Sequence, residues 1–475
     1  MFVLTNTAPP RSLREAWIAL TGLSAVFLVE MLDNSVLTVA LPTIGRELHA
    51  STLALQWVTS AYVLVFGGLM LVFGAIADRV GRRRVMLVGL ALLGIASLAT
   101  AVVTSAEQLI AVRALMGVAA AMTTPGSIAL AFRLFGDEGL RMRAITLIST
   151  VGLVGLAVGP VVGGFVLAVA PWQVLLLVNV PIAALAFLGV RLGIAPDDPA
   201  DLHRVPLDVP GALLGTATIV LALLAPTLFV ERGSGAWAPW VATAAAVVAG
   251  TLFVVRERTA RHPLLDLALV ARPLVSGGLA HKAAAGLAVT GLGYVVTLQL
   301  QLEWGWSPGL AALGMLPQVA VLLAAGPFVT PFVERVGSDR AAWLGSAAIV
   351  AGLAVFTTAG RAGYPGVALA LALVAAGLRV VGVVAALSVM RGLPQNRTSI
   401  GAALVDTADE VTSGVGIAVT GTVLAALVTG SIATPTLSPA QTAQFGHAAT
   451  VSGLVLTLAA AALAGWATVR TRNAV

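Results

Sequence analysis

Fourteen apolar runs alternate along the chain with short stretches rich in charge, proline and glycine. They fall near 16–44, 52–76, 84–103, 107–132, 143–169, 172–192, 209–229, 237–255, 274–302, 309–332, 341–360, 364–389, 399–428 and 449–469. Crossing a bilayer takes roughly 20 mostly apolar residues. A helix is the form in which one such segment satisfies its own backbone inside hydrocarbon. The pattern predicts an all-α, polytopic membrane protein with 14 transmembrane helices.

Composition agrees and narrows the class. Of the 475 residues 59% are apolar and 10% charged, with mean hydropathy +0.99. An ordinary soluble domain carries about 25% charged residues. A soluble enzyme, a disordered scaffold and a disulfide-stapled domain are excluded. The absence of cysteine also removes thiolate metal ligands and thiol nucleophiles.

Charge orients the runs. The net charge of +6 is read as topology and not as a nucleic-acid footprint. With a cytoplasmic N-terminus, 21 of the 27 Lys/Arg fall on cytoplasmic segments, among them Arg79, Arg82, Arg83, Arg84, Arg204 and Arg397. Arg46, Arg232 and Arg361 fall outside, and Arg113, Lys282 and Arg379 lie within runs. One missed helix would invert everything after it, so the split supports fourteen spans with both termini cytoplasmic. The first run is read as a span, without the cleavage site of a removed leader.

An internal repeat divides the chain. DRVGRRR at 78–84 is echoed by ERVGSDR at 334–340, each in the tight turn after the second helix of a six-helix block. The expected architecture is two six-helix bundles, 1–193 and 274–475, separated by an inserted two-helix segment with its linkers at 194–273. Parallel repeats enclosing a midplane site are a transporter design.

Ionisable groups inside hydrocarbon are expensive and mark function by default. Glu30 and Asp33 share one face of the first helix, with Asp33 roughly 15 Å below its outer end. Arg113 lies roughly 10 Å below the outer end of the fourth helix and can meet Asp33 if the helices are neighbours. Asp406, Asp409 and Glu410 occupy one face of the thirteenth helix. Three carboxylates so close cannot all ionise cheaply, so one is expected to hold a proton. Arg379, on the twelfth helix at similar depth, is expected to pair with one of them. Lys282 is placed near the inner surface, where it can snorkel. Glu303, beside Trp304 and Trp306, sits at the outer mouth, where it could attract cations. A purely structural ion-pair role stays open for the Asp33–Arg113 pair and for the cluster at 406–410.

At several of these positions the sequence resembles the major facilitator superfamily, and within it the fourteen-span drug:proton antiporters. GAIADRVGRRR (74–84) resembles the family's loop between helices two and three, and LDNSVLTVALP (32–42) its first-helix signature. RALMGVAAA (113–121), GLAVGPVVGG (155–164) and WQVLLLVNVP (172–181) resemble those of helices four to six, although Gln173 replaces the usual arginine. QLEWGWSPGLAALGMLP (301–317) resembles the stretch from the ninth to the tenth helix.

The resemblance implies a gating clamp at Gly74, Asp78, Arg79, Gly81, Arg82 and Arg84, and a hinge helix at Gly155, Gly159, Pro160, Gly163 and Gly164. It implies a cavity in which Asp33 and Arg113 take part in coupling. Asp406 and Glu410 resemble the acids of exporters of quaternary ammonium compounds and dyes; Asp409 and Arg379 depart from that pattern.

The expected function is proton-coupled efflux of lipophilic, cationic drugs, biocides or dyes from a bacterial cell by alternating access, as a monomer in the plasma membrane. The proton gradient supplies the energy, with no cofactor, no metal and no nucleic-acid partner. Export of an anionic or zwitterionic natural product or lipid is the alternative, with Arg379 and Arg113 as anion contacts; a non-transporting membrane receptor is more remote. No nucleotide loop, metal-binding HExxH or Ser-His-Asp set points to an enzyme.

Overall fold

The computed structural model describes residues 10–197, 208–233, 235–261, 263, 265–393, 398–429 and 437–472. Arg204 and Arg397 lie outside the described residues, as does much of the linker after residue 193. Among the described residues, thirteen helices are long and apolar enough to cross a membrane, and one bent pair makes a fourteenth span.

The spans run Trp17–Glu47, Thr52–Val80, Arg82–Ala99, Ala106–Leu134 and Glu138–Val169, then a sixth in two pieces, Gln173–Leu177 and Asn179–Gly193. Val209–Arg232 and Trp237–Thr259 follow as the seventh and eighth. The ninth is Pro273–Leu298, continued by a π-helical turn at Gln299–Glu303. The tenth is segmented into Pro308–Gly314, Leu316–Ala324 and Gly326–Val336, the last two meeting at 61°. Ser338–Ala359, Tyr364–Gly392, Thr398–Leu427 and Pro439–Arg472 complete the set.

Polar residues stop and start these helices where apolar composition cannot. Ser51 and Ser105 accept the amides of Ala54 and Gln108, and Asp137 accepts that of Leu140. Such caps satisfy amides left free at a helix start. The fourteenth helix begins ten residues before its apolar run, with Ser438 Oγ accepting the amide of Gln441. Hydropathy marks the part of a helix inside the bilayer; backbone hydrogen bonding continues beyond it. Gly81 and Gly337, equivalent in the sequence echo, end the second and tenth spans with φ of +112° and +84°. Glycine takes that backbone conformation without steric cost.

The first span packs on the fifth and sixth, the second on the fourth, and the third on the fourth and sixth. Beyond the insertion, the ninth packs on the twelfth, thirteenth and fourteenth, and the eleventh on the twelfth and fourteenth. The two groups meet along the second and thirteenth spans and along the fifth and tenth. The seventh and eighth form a hairpin against the second and thirteenth. There Thr216 Oγ1 donates to the Gly68 carbonyl at 2.8 Å, and Ile219 and Val220 pack on buried Leu64 and Ala418. An even number of spans brings the two ends of the described chain to one face, here the terminal face; the opposite one is the distal face.

Several contacts between the halves lie on the distal side. Gln301 Nε2 donates to the Val39 carbonyl at 2.9 Å, and Gln56 Nε2 to the Ala418 carbonyl at 3.1 Å. Gly164 lies so close to Pro308, Gly309 and Ala312 that a Cβ there would stand 2.6 Å from the Pro308 oxygen. Near the terminal face, Asp78 pairs with Arg82 and Arg391 donates to Ser338, each within its own half.

Candidate substrate and proton site

A cavity of about 170 Å³ lies between the halves, lined by Ser35, Arg113, Pro160, Gln318, Asp409 and Glu410 among others. Its walls come from the first, second, fourth and fifth spans on one side and the ninth, tenth, twelfth and thirteenth on the other.

The first-half wall is a closed polar network. Arg113 Nη1 bonds Asp33 Oδ2, with both side chains almost wholly inaccessible. Asn179 Nδ2 donates to Asp33 Oδ1 at 2.7 Å, Arg113 Nε donates to the Val58 carbonyl at 3.2 Å, and the guanidinium lies 4.4 Å from the Tyr62 ring centroid. The pair expected from helix depth is therefore brought together. Asn179 begins the second piece of the sixth span, where a short break turns its side chain to the first span. It stood in the WQVLLLVNVP stretch, and an intramembrane amide was the signal that could have singled it out. Glu30, one turn away, accepts from Thr124 Oγ1 at 2.5 Å on the fourth span.

The second-half wall corrects two expectations. Lys282 Nζ pairs with Asp409 Oδ2 at 2.8 Å, so lysine and not Arg379 holds an acid of the cluster. Gly286, one turn beyond Lys282, lies so near the thirteenth span that a Cβ there would stand 2.8 Å from Asp409 Oδ1. That close approach puts the ammonium sideways within reach of Asp409, where distance from the surface alone suggested snorkelling. Arg379 meets no acid among the described residues. Its Nε is buried without a hydrogen-bond partner, and Nη2 lies against Gly326 at the break of the tenth span. Glu30, Asp406 and Glu410 have no ion-pair partner among the described residues. Gly67 brings the second span against Glu410 Cβ.

In the 74–84 turn, Arg82 Nε donates to Asp78 at 2.7 Å across the reversal at Gly81, joining the second and third spans. Neighbouring segments are also held by Asp197, which sequence reasoning missed. Its carboxylate accepts the backbone amides of Arg83 and Arg84 at 3.1 and 3.2 Å and stands 3.6 Å from Arg133. An acid at a helix N-terminus meets both free amides and the positive end of the helix dipole. Arg83 Nη2 also donates to the Arg191 carbonyl at 2.7 Å. Side chains of Arg79 and Arg84 have no described partner, and Gly74 has nothing within 4 Å of an added Cβ, so no close approach occurs there.

The glycine stripe of the fifth span packs on the first: Gly155 on Leu28, Gly159 on Ser35 and Gly163 on Val36, while Gly164 faces the tenth. The helix is unbroken through Pro160. Glu303 pairs with Arg361 at 3.4 Å.

A family model described as Major Facilitator Superfamily matches residues 23–210. The multidrug efflux pump LfrA of Mycolicibacterium smegmatis is 31% identical over 92% of this chain and 86% of its own length. The puromycin resistance protein pur8 of Streptomyces alboniger is 32% identical over 96% and 92%. The chain belongs to the major facilitator superfamily. It is a multi-pass membrane transporter of small molecules. The cephamycin export protein CmcT of Amycolatopsis lactamdurans is 38% identical over 66% of the chain, a match spanning 64% of that protein's length. Among solved structures, the peptide-transporter-family member PepTSo aligns at TM-score 0.68 with 15% identity, covering 98% of this chain and 99% of that one. A bacterial homologue of the lysosomal transporter Spinster, solved inward-facing and unoccupied, aligns at 0.67 with 17% identity, covering 96% and 97%. At these identities the structures share the fold.

Proposed function

We propose that this transporter exports lipophilic cations across a bacterial plasma membrane in exchange for protons. The observation that carries the reading is the charge balance of the cavity region. Of five carboxylates, Asp33 is neutralised by Arg113 and Asp409 by Lys282, which leaves Glu30, Asp406 and Glu410 without a basic partner among the described residues. Such carboxylates hold either protons or an organic cation, and competition between the two is antiport. Resemblance to LfrA supports drug efflux, and resemblance to the methyl viologen resistance protein SmvA of Salmonella typhimurium, at 30% identity over 88% of the chain, supports a cationic drug.

The positive-inside distribution supports a cytoplasmic terminal face. The distal seal then corresponds to a carrier closed to the outside and loading from within. Rocking of the halves about the cavity would exchange access, with Gly164 against the tenth span as part of the outer seal. One chain encloses the whole cavity, so a monomer suffices; the proton gradient is the energy source and no cofactor is called for. Exchange of one monovalent cation for one proton moves no net charge, and a second proton would add about 2.3 kcal/mol per 100 mV.

The test is a dye and biocide efflux panel on wild type, Asp33→Asn, Asp406→Asn and Glu410→Gln, with substrate-dependent proton movement followed in proteoliposomes. Loss of efflux with loss of proton movement is expected. Unchanged efflux in all three variants, or no proton flux with any cation, refutes the reading. Arg379 supports a second one, in which some substrates carry an anionic group as well; the resemblance to a cephamycin exporter points the same way.

A further inference from the structure

We infer that Arg379 and the break in the tenth span form a subsite for an anionic group, a carboxylate or sulfonate, on a transported compound. This rests on the export reading and narrows it to include zwitterionic substrates. A guanidinium at mid-membrane depth is expensive unless something meets its charge. Two arginines lie within spans of the two halves, with opposite surroundings. Arg113 is enclosed by Asp33, the Val58 carbonyl and the Tyr62 face. Arg379 has no hydrogen bond or ion pair among the described residues; its Nε is buried, while the side chain as a whole is half-buried and so open to a ligand.

Position supplies the rest. Leu378, the preceding residue, lines the cavity, as does Leu322 on the tenth span. Gly326 lies one helical turn beyond Leu322 toward the terminal face, and a Cβ on it would collide with Arg379 Nη2. At Gly326 a new eleven-residue half-helix begins at 61° to the preceding piece, with Pro327 in its first turn. Half-helix N-termini in broken spans carry positive dipole ends, which suit anionic substrate groups. The guanidinium and the dipole end thus converge one turn from a cavity whose facing wall carries Asp409 and Glu410. A zwitterion would place its cationic end on those acids and its anionic end on Arg379.

The test uses two xanthene dyes differing by one ester: rhodamine 123, a cation, and rhodamine 110, whose free carboxylate makes it a zwitterion. Export is measured in proteoliposomes for wild type, Arg379→Gln and Arg379→Lys, with monodispersity in detergent confirming each fold. Wild type should export both dyes. Arg379→Gln should lower rhodamine 110 export at least tenfold relative to rhodamine 123, equivalent to about 1.4 kcal/mol, with Arg379→Lys in between. Equal effects on both dyes, no effect on either, or no export of rhodamine 110 by wild type would overturn the subsite. So would a shifted pH profile for rhodamine 123 without change in the dye ratio, which would make an acid of this chain the partner. Failure of rhodamine 123 export with proton movement in wild type would instead defeat the antiport reading.

Discussion

Separating Asp33 from Arg113 should produce two lesions that do not add. Removing one partner of a buried ion pair costs about 3–5 kcal/mol, because the other charge is left uncompensated. In Asp33→Asn the guanidinium keeps the Val58 carbonyl and the Tyr62 ring, and the amide keeps the shape of the acid, so the loss should sit near the lower end, about 3 kcal/mol. In Arg113→Met the Asp33 carboxylate keeps the Asn179 amide alone among these partners, so the loss should sit near the upper end, about 5 kcal/mol. The double variant Asp33→Asn/Arg113→Met removes both charges and should regain most of the loss. The assay is unfolding in detergent by scanning fluorimetry. An Arg113→Met defect much smaller than that of Asp33→Asn, or a double variant as damaged as the sum of the singles, would refute the electrostatic account.

Replacing Gly164 with valine should open the distal seal, because a Cβ there meets the Pro308 oxygen at 2.6 Å and Ala312 Cβ at 2.8 Å. Spin-label distances between distal ends of the first and ninth spans should lengthen, and unchanged distances would count against the contact. Lys282→Met removes a cation 2.8 Å from Asp409. The Asp409 carboxylate is then left without its ion-pair partner, so cation export should fall and Lys282→Arg should restore it in part; unchanged export by Lys282→Met would contradict the pairing. Asp197→Asn should weaken two backbone caps and cost about 1 kcal/mol, read as faster hydrogen exchange over residues 82–86 with third-span exchange otherwise preserved.

The span count and fold class were legible because hydrocarbon imposes length and apolarity on every crossing, and the Gly81/Gly337 echo was legible because a tight reversal needs a residue tolerant of positive φ. Depth along a helix was legible too, which brought Asp33 and Arg113 together correctly. Azimuth was not. Lys282 and Arg379 lie at depths that allowed either to face the acids, and the choice turns on Gly286 packing against Asp409, a tertiary contact without a local pattern. Asp197 escaped notice because a single acid in a polar linker looks solvated until the start of the third span closes over it. The break at Gly326 hides within an apolar run that reads as one helix.

The inserted hairpin has a mechanical consequence. Its seventh span is hydrogen-bonded to the second through Thr216 and packs Ile219 and Val220 on the cluster formed by Leu64 of the second and Ala418 of the thirteenth, so it straddles one of the two lines along which the halves meet. Among the described residues, the line between the fifth and tenth spans has no such strap. A lipophilic solute diffusing in the membrane plane therefore meets two unequal flanks, one covered by an extra helical layer and one formed by the carrier's own helices. Any relative rotation of the halves must also shear the covered flank. The fourteen-span chain is thus asymmetric in stiffness as well as access, unlike a carrier built from its two repeats alone.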